Sequence, residues 1–481
     1  MGRFMHRGAA GLVAALLLAI AGVAAPCAQE SAPAATPALM DTAARLRDRA
    51  LQSDLAWRIA AELTTRIGPR LAGSPAEARA RALMVERLKA LGFANVRIEP
   101  FALAGWRRGR EEAAVVSPAP QPLAVTALGG SVATPPDGIT APVVRFPDLA
   151  ALEAAAEGSL AGRIAFIDLK MFRAQDGSGY GETVAIRSRG AVAAAKKGAA
   201  AVLIRSVGTD SHRLPHTGMM RYEEAVPKIP AAALSNPDAD QLARLLADGG
   251  EVTVRLLLTP DGGFTARSGN VIAEIPGTDR AGEIVLLGAH LDSWDLGTGA
   301  IDDAAGVGIV TAAARLAAEA APPRRTIRVV LFGAEEVGLV GARAYLEAHR
   351  DEIARHMLVT EADFGTGRVW RLESGVGRDA PAFVDRLHAL LRPLGIGRGG
   401  NDSLGGSDVS VLARAGVPAI GLRQDGLGYF DIHHTADDTL DKIDPDALAQ
   451  ATAAWAVTAF LAAHGQEDLR AGGRAGEPRG E

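Results

Sequence analysis

Glu283-Ile284-Val285-Leu286-Leu287-Gly288-Ala289-His290-Leu291-Asp292 is the stretch that decides the fold. Its apolar run has the length of a strand and ends abruptly on a histidine and an aspartate. The pattern recurs twice. Thr326-Ile327-Arg328-Val329-Val330-Leu331-Phe332-Gly333-Ala334 leads into Glu335-Glu336, and Met357-Leu358-Val359-Thr360 into Glu361-Ala362-Asp363. Strands that are apolar throughout, without polar alternation, belong to sheets covered on both faces. Strands are predicted at 271–275, 283–287, 326–332, 357–360 and 418–422, with helices near 303–319, 339–349, 380–393, 407–414 and 445–463. This alternation predicts an α/β fold, a mostly parallel sheet flanked by helices.

In such sheets ligands bind beyond the carboxyl ends of the strands. Three strands therefore deliver His290, Asp292, Glu335, Glu336 and Asp363 to one edge. Two loops can reach it, Gly299-Ala300-Ile301-Asp302-Asp303 and Ile432-His433-His434-Thr435. Each piece alone has a plainer account: an acidic helix start for Glu335-Glu336, a helix cap for Asp302-Asp303. Together, in a sheet otherwise nearly pure apolar, they would make an ionic network that costs more desolvation than it returns. Metal binding removes the difficulty. Asp302, Glu336 and Asp363 carry three negative charges, His290 and His434 none, and a hydroxide makes four, matching two divalent cations in a partly buried pocket. Five ligands for two ions require a bridge, and Asp302, on a loop between strand ends, is placed for it. Asp292 would accept the proton on the second ring nitrogen of His290 and fix its tautomer.

The ordered series His290-x-Asp292, Gly299-Ala300-x-Asp302-Asp303-x-x-Gly306, Glu335-Glu336, Glu361-x-Asp363 and His434-Thr435-x-x-Asp438 resembles the M28 zinc peptidases. Tyr180-Gly181-Glu182-Thr183-Val184, Pro215-His216-Thr217-Gly218 and the stretches 203–207 and 226–230 are similar to a carboxypeptidase branch of that family. The resemblance covers most of the chain. It implies a zinc-exopeptidase domain at 41–115 and 263–465, interrupted at 116–262 by a smaller α/β protease-associated insert. It implies two Zn2+ ions, one on His290 and Asp363, the other on Glu336 and His434, with Asp302 between them and Glu335 as general acid/base. His433 becomes either a support for the ligands from just outside them or a structural residue, and Asp303 a helix cap. The implied substrates are dipeptides or short peptides with free termini, which Arg423, Asp425 and Tyr429 are candidates to contact. The implied assembly is a homodimer. Gly405-Gly406-Ser407-Asp408 departs from the family pattern and bears on substrate preference.

Outside this region, Arg3 and Arg7 precede an apolar run from Ala9 to Ala25 and a small-residue zone, which predicts a signal peptide over 1–28 and an exported, periplasmic or secreted protein. Cys27, the one cysteine, suggests lipidation, but Pro26 before it argues against that. Without Cys27 any metal site must use nitrogen and oxygen ligands. A flexible leader is expected at 29–40 and a disordered tail at 466–481. Ser74-Pro75-Ala76-Glu77 reads as a helix start with a capping box, Gly92 as its stop, and Val96-Arg97-Ile98 as a short strand after it. The insert carries short apolar strands and helices near 187–198 and 237–247; its His212 and His216, with no carboxylate in the pattern, read as structural. With 51 basic and 56 acidic residues scattered along the chain, nothing indicates a nucleic-acid partner, and no stable membrane insertion is expected after cleavage of the signal. Two other readings differ in what they require: a receptor-like relative would lack ligands or the proton carrier, and a glutaminyl-cyclase-type acyltransferase would lack the insert.

Overall fold

The computed structural model describes residues 37–473. The expected signal segment and leader, apart from residues 37–40, lie outside the described residues. Those four open a helix, Pro37–Ala50, which buries Ala43, Leu46 and Ala50. Residues 37–40 of the expected flexible leader are therefore helical, because apolar side chains at helical spacing give the segment a face to bury.

Eight strands form the larger sheet, in the order Ala94–Arg107, Asp261–Ile275, Arg325–Phe332, Arg280–His290, His356–Glu361, Ala419–Gln424, Val369–Gly375 and Gly397–Arg398. The four middle strands are mutually parallel. Antiparallel pairings join them to the strands on either side. The apolar runs are explained by two-sided cover. Val285, Leu287 and Ala289 pack with the helices Ala305–Ala320 and Pro445–His464, while Ile284 and Leu286 pack on the other face with Ala342, Val409 and Leu412. Period-two alternation thus survives as a choice between two apolar layers.

Pro445–His464 is the helix among the described residues that is long and apolar enough to cross a membrane, and it is buried in the protein instead. Its alanine-rich faces lie against Ala305–Ala320, where small side chains let two helices approach closely. The helix Pro75–Ala90 starts as its sequence predicts, with the Ser74 hydroxyl accepting from the Glu77 amide at 3.1 Å. The Glu77 carboxylate reaches back one residue further than a capping box requires, to the Gly73 amide at 2.8 Å. Its other oxygen is taken by Ser268 and Arg81, which bring the buried charge a partner.

A second sheet is built from residues 111–258, in the order Gln121–Leu123, Glu111–Ser117, Thr253–Leu258, Ile139–Phe146, Ile164–Ile167, Ala201–Arg205, Ala231–Leu234 and Val125–Ala127. It hangs on an antiparallel ribbon, Ala94–Arg107 against Asp261–Ile275, which closes at the Arg107–Asp261 pair. The expected limits of this lobe, 116 and 262, therefore shift. The short strand predicted around Ile98 runs on to Arg107, because exposed and half-buried residues alternate along a ribbon that lacks a full core on either side.

Residues 466–473 of the expected disordered tail are ordered against the protein, and the rest of it lies outside the described residues. Leu469 is buried, the Gly377 amide donates to its carbonyl at 2.7 Å, and Arg470 donates to the Ile353 carbonyl at 3.0 Å. One apolar anchor in a charged tail was enough to dock it.

Candidate metal centre

His290 is the last residue of the strand Arg280–His290, Glu335 and Glu336 follow Arg325–Phe332, and Asp363 follows His356–Glu361. Asp302 comes from a single wide turn, Ala300–Ala304, that opens into the helix Ala305–Ala320; its peptide to Asp303 is cis. His434 lies just beyond the short turn Tyr429–Asp431. All five predicted ligands converge. His290 Nε2 stands 3.0 Å from Asp302 Oδ1 and 3.4 Å from Asp363 Oδ1. On the other side His434 Nε2 is 3.0 Å from Glu336 Oε2 and 3.3 Å from Asp302 Oδ2. Asp302 therefore turns one oxygen to each pair. Two clusters that can hold an ion share it, His290–Asp302–Asp363 and Asp302–His433–His434. Of the two positions expected for His433, it takes the one beside the ligands, with Nε2 at 3.5 Å from Asp302 Oδ2 and its ring stacked 3.5 Å from that of His434.

The surroundings fix these side chains one by one. The partner of His290 Nδ1 is the Asp292 main-chain carbonyl at 3.0 Å; the Asp292 carboxylate lies farther off, at 3.7 Å. That carboxylate instead accepts the amides of Glu335 at 3.1 Å and Glu336 at 3.3 Å, so Asp292 holds the backbone of the neighbouring strand end. The expected contact is thus made by the backbone of Asp292, because the two glutamate amides compete for its side chain. Asp303 bonds the His290 amide and the Gly306 amide, both at 3.0 Å. A Cβ at Gly306 would fall 2.0 Å from the Ala362 carbonyl and 2.2 Å from the Asp303 carboxylate, which explains the glycine in the motif.

Asp438 Oδ1 accepts the Ala300 and Ile301 amides, each at 2.7 Å, and holds the turn that carries Asp302. From the other side the fully buried Arg70 donates to the carbonyls of Gly68, Leu291, Thr298 and Gly299, at 2.6 to 3.0 Å. An Arg70→Met variant strands several buried carbonyls at once. It is expected to lose about 3 kcal/mol or more of stability, measured as a lower urea midpoint. A midpoint unchanged from the parent would show that water replaces the guanidinium there.

The second lobe reaches into this centre. The Thr217 amide donates to the His434 carbonyl at 3.0 Å, and the Thr217 carbonyl lies 3.2 Å from His434 Nδ1. His434 has a left-handed φ of 62°, a costly backbone conformation for a residue with a Cβ. Pairing with Thr217 on both sides holds it there. His216 is structural, as its sequence context suggested, yet it has a carboxylate after all: Nε2 meets Asp210 at 2.6 Å and Nδ1 meets the His433 carbonyl at 2.7 Å.

The charges at this edge are mutually uncomfortable. Burial pushes the Glu335 carboxyl well above its ordinary range, and Asp363, Asp408 and Glu336 add to the push against His290. Burial, with neighbouring acids, also raises Glu336, lifts Asp303 and Asp408 well up, and takes Glu361 to about 8. Burial opposes the charge of His434 too, but Glu336 and Asp302 outweigh it and raise the imidazole to about 9. The buried oxygens Asp302 Oδ2 and Glu336 Oε1 have no hydrogen-bond partner. Unpaired carboxylate oxygens, imidazole nitrogens and excess negative charge fit divalent cations with nitrogen and oxygen coordination.

A cavity of about 830 Å³ opens over the centre. It is bounded by Glu335 and Glu336, by Tyr429 and Phe430, and by Tyr180 and Arg187 of the second lobe. Of the residues expected to meet substrate, Tyr429 lines it. Arg423 is instead paired with Glu373 at 2.7 Å, and Asp425 with Gln175 at 2.9 Å. Asp408 and Arg187 were missed as neighbours of the centre. Asp408 sits in the departing Gly405–Asp408 stretch and could have been suspected there; Arg187 carries no sequence signal that separates it from a surface arginine.

Comparison with known proteins places the chain. Residues 270–459 match the model of Peptidase family M28. Carboxypeptidase Q of Rattus norvegicus is 40% identical over 408 residues, 85% of this chain and 85% of that protein. The crystal structure of a peptidase M28 precursor from Shewanella amazonensis SB2B is 50% identical, with a TM-score of 0.89 over 90% of this chain and 98% of that one. A zinc aminopeptidase from Bacillus subtilis, 21% identical with a TM-score of 0.64 over 86% of this chain and 97% of that one, shares the fold. The chain belongs to peptidase family M28.

Proposed function

We propose that the protein is an exported dizinc exopeptidase that cleaves dipeptides or short peptides with free termini. The observation that carries this reading is the division of Asp302, with one oxygen 3.0 Å from His290 and the other 3.3 Å from His434. His290 and Asp363 would hold one zinc, Glu336 and His434 the other, and Asp302 would join them. When bound, such ions supply Lewis acidity to a peptide carbonyl and acidify a water molecule.

The chain's own residues do the rest. Glu335, half-buried at the cavity floor, takes the proton of the attacking water and returns it to the departing amine. Asp292 holds the Glu335 and Glu336 amides, so acid/base and ligand keep fixed relative positions. Tyr429 and Phe430 form an apolar wall that excludes water from the reacting bond. The second lobe, which closes the cavity from above, is a protease-associated domain in this reading, and the protein works as a homodimer. The carboxypeptidase and aminopeptidase names of the relatives support an exopeptidase without choosing an end.

The zinc-loaded protein is expected to release free amino acids from a panel of dipeptides, to stop on treatment with a chelator and to recover on zinc addition. Amino-acid analysis reads the result. No release from any dipeptide would favour a non-catalytic relative, and pyroglutamyl products from glutamine-led peptides would favour a cyclase.

A further inference from the structure

Arg187 is the buried arginine of the cavity wall, and it lacks a counter-ion. It lies in the first turn of the helix Ala185–Lys196, is only 7% exposed, and lines the cavity above Glu335 and Glu336. No carboxylate pairs with it among the described residues. Its hydrogen bonds are few for five N–H groups. Nη2 donates to the Tyr180 hydroxyl at 2.5 Å, Nη1 to the Thr217 carbonyl at a marginal 3.5 Å, and buried Nε has no partner. Nη1 also lies 3.4 Å from His434 Nδ1. The other buried arginines compared here are compensated: Arg205 pairs with Asp168 and Asp240, Arg328 with Glu274 and Glu352, and Arg70 caps four carbonyls.

The surroundings keep this guanidinium in place. Gly218, with φ at +136°, lies flat against it, and a Cβ there would come within 2.4 Å of Nη1 and 2.5 Å of Cζ. The Tyr180 ring lies 5.3 Å from Cζ and is stacked at 4.9 Å on Phe430. The Tyr180 hydroxyl accepts from Arg187 and makes no other hydrogen bond among the described residues, so its own proton is free for an acceptor. A buried, under-bonded guanidinium beside a free phenol proton is complementary to a carboxylate, which offers two acceptor oxygens to a planar fork.

Resting on the exopeptidase reading above, we propose that Arg187 and Tyr180 bind the free α-carboxylate of the substrate. The distance sets its position. Arg187 touches the ring of His434 on the side away from Glu336, so a carboxylate held there lies within about one residue, roughly 4 Å of chain, of the reacting carbonyl. Substrates therefore have one residue after the bond that is cut. The residue comes from the second lobe, so that lobe sets substrate length.

The test uses the full-length zinc-loaded protein with alanyl-leucine and alanyl-leucine amide, reading free alanine. The parent is expected to favour the acid by about tenfold to a hundredfold in kcat/KM. Arg187→Met should remove that preference, mainly through KM on the acid, with the amide within about threefold of the parent and zinc content unchanged. Arg187→Lys should keep part of the preference. Equal cleavage of acid and amide by the parent overturns the proposal, as does an Arg187→Met protein that loses both activities equally or loses zinc. Should Arg187→Met not fold, the parent's ratio and Arg187→Lys decide. A zinc-loaded parent that cleaves neither compound overturns the exopeptidase reading itself, and this proposal with it.

Discussion

Replacing Glu335 by glutamine lowers kcat by about two to four orders of magnitude and leaves metal content unchanged. The expectation follows from position. Glu335 follows the strand Arg325–Phe332 beside a proposed ligand, yet it makes none of the short contacts to histidine that Glu336 makes. Its amide is held by Asp292, a bond that the backbone of a glutamine makes equally well. The substitution keeps volume and removes only the ability to gain and lose a proton. Metal analysis beside steady-state kinetics on the panel of dipeptides gives both numbers from one preparation. Turnover near that of the parent would remove Glu335 from proton transfer. Loss of zinc with the activity would make it a ligand.

Asp302→Ala is expected to strip both metal positions, taking zinc from about two ions per chain to fewer than one and abolishing hydrolysis. His290 and His434 would each lose the carboxylate they share, and the two proposed cations would lose the anion that offsets their mutual repulsion. Glu336→Ala removes a ligand from the His434 side alone and should leave one ion, which makes it the natural comparison. Retention of one tightly held ion in Asp302→Ala would place Asp302 on a single position. Retention of two would end the bridging assignment.

The sheet and most of the site were legible for one physical reason. Strands covered on both faces must be apolar along their length, so the polar residue that ends each run stands out, as His290 does after Ala289. The ribbon Ala94–Arg107 was legible only around Ile98, because a strand exposed along much of its length has no such constraint. The roles of Asp292 and Arg70 were hidden for a different reason. Both act through backbone amides or carbonyls far along the chain, and a main-chain partner has no residue type to read. Asp425 shows the converse error: a charged residue in the right loop, already committed to Gln175.

Thr217 belongs to one lobe and His434 to the other, and they pair through both backbone and ring. All five proposed ligands lie in the unit built on the larger sheet, but the last of them is held in place from the other lobe. Three of them stand at strand ends, the fourth on the turn Ala300–Ala304, and the fifth on a loop that the second lobe steadies. A loosened second lobe is therefore expected to cost activity before it costs the larger sheet any stability.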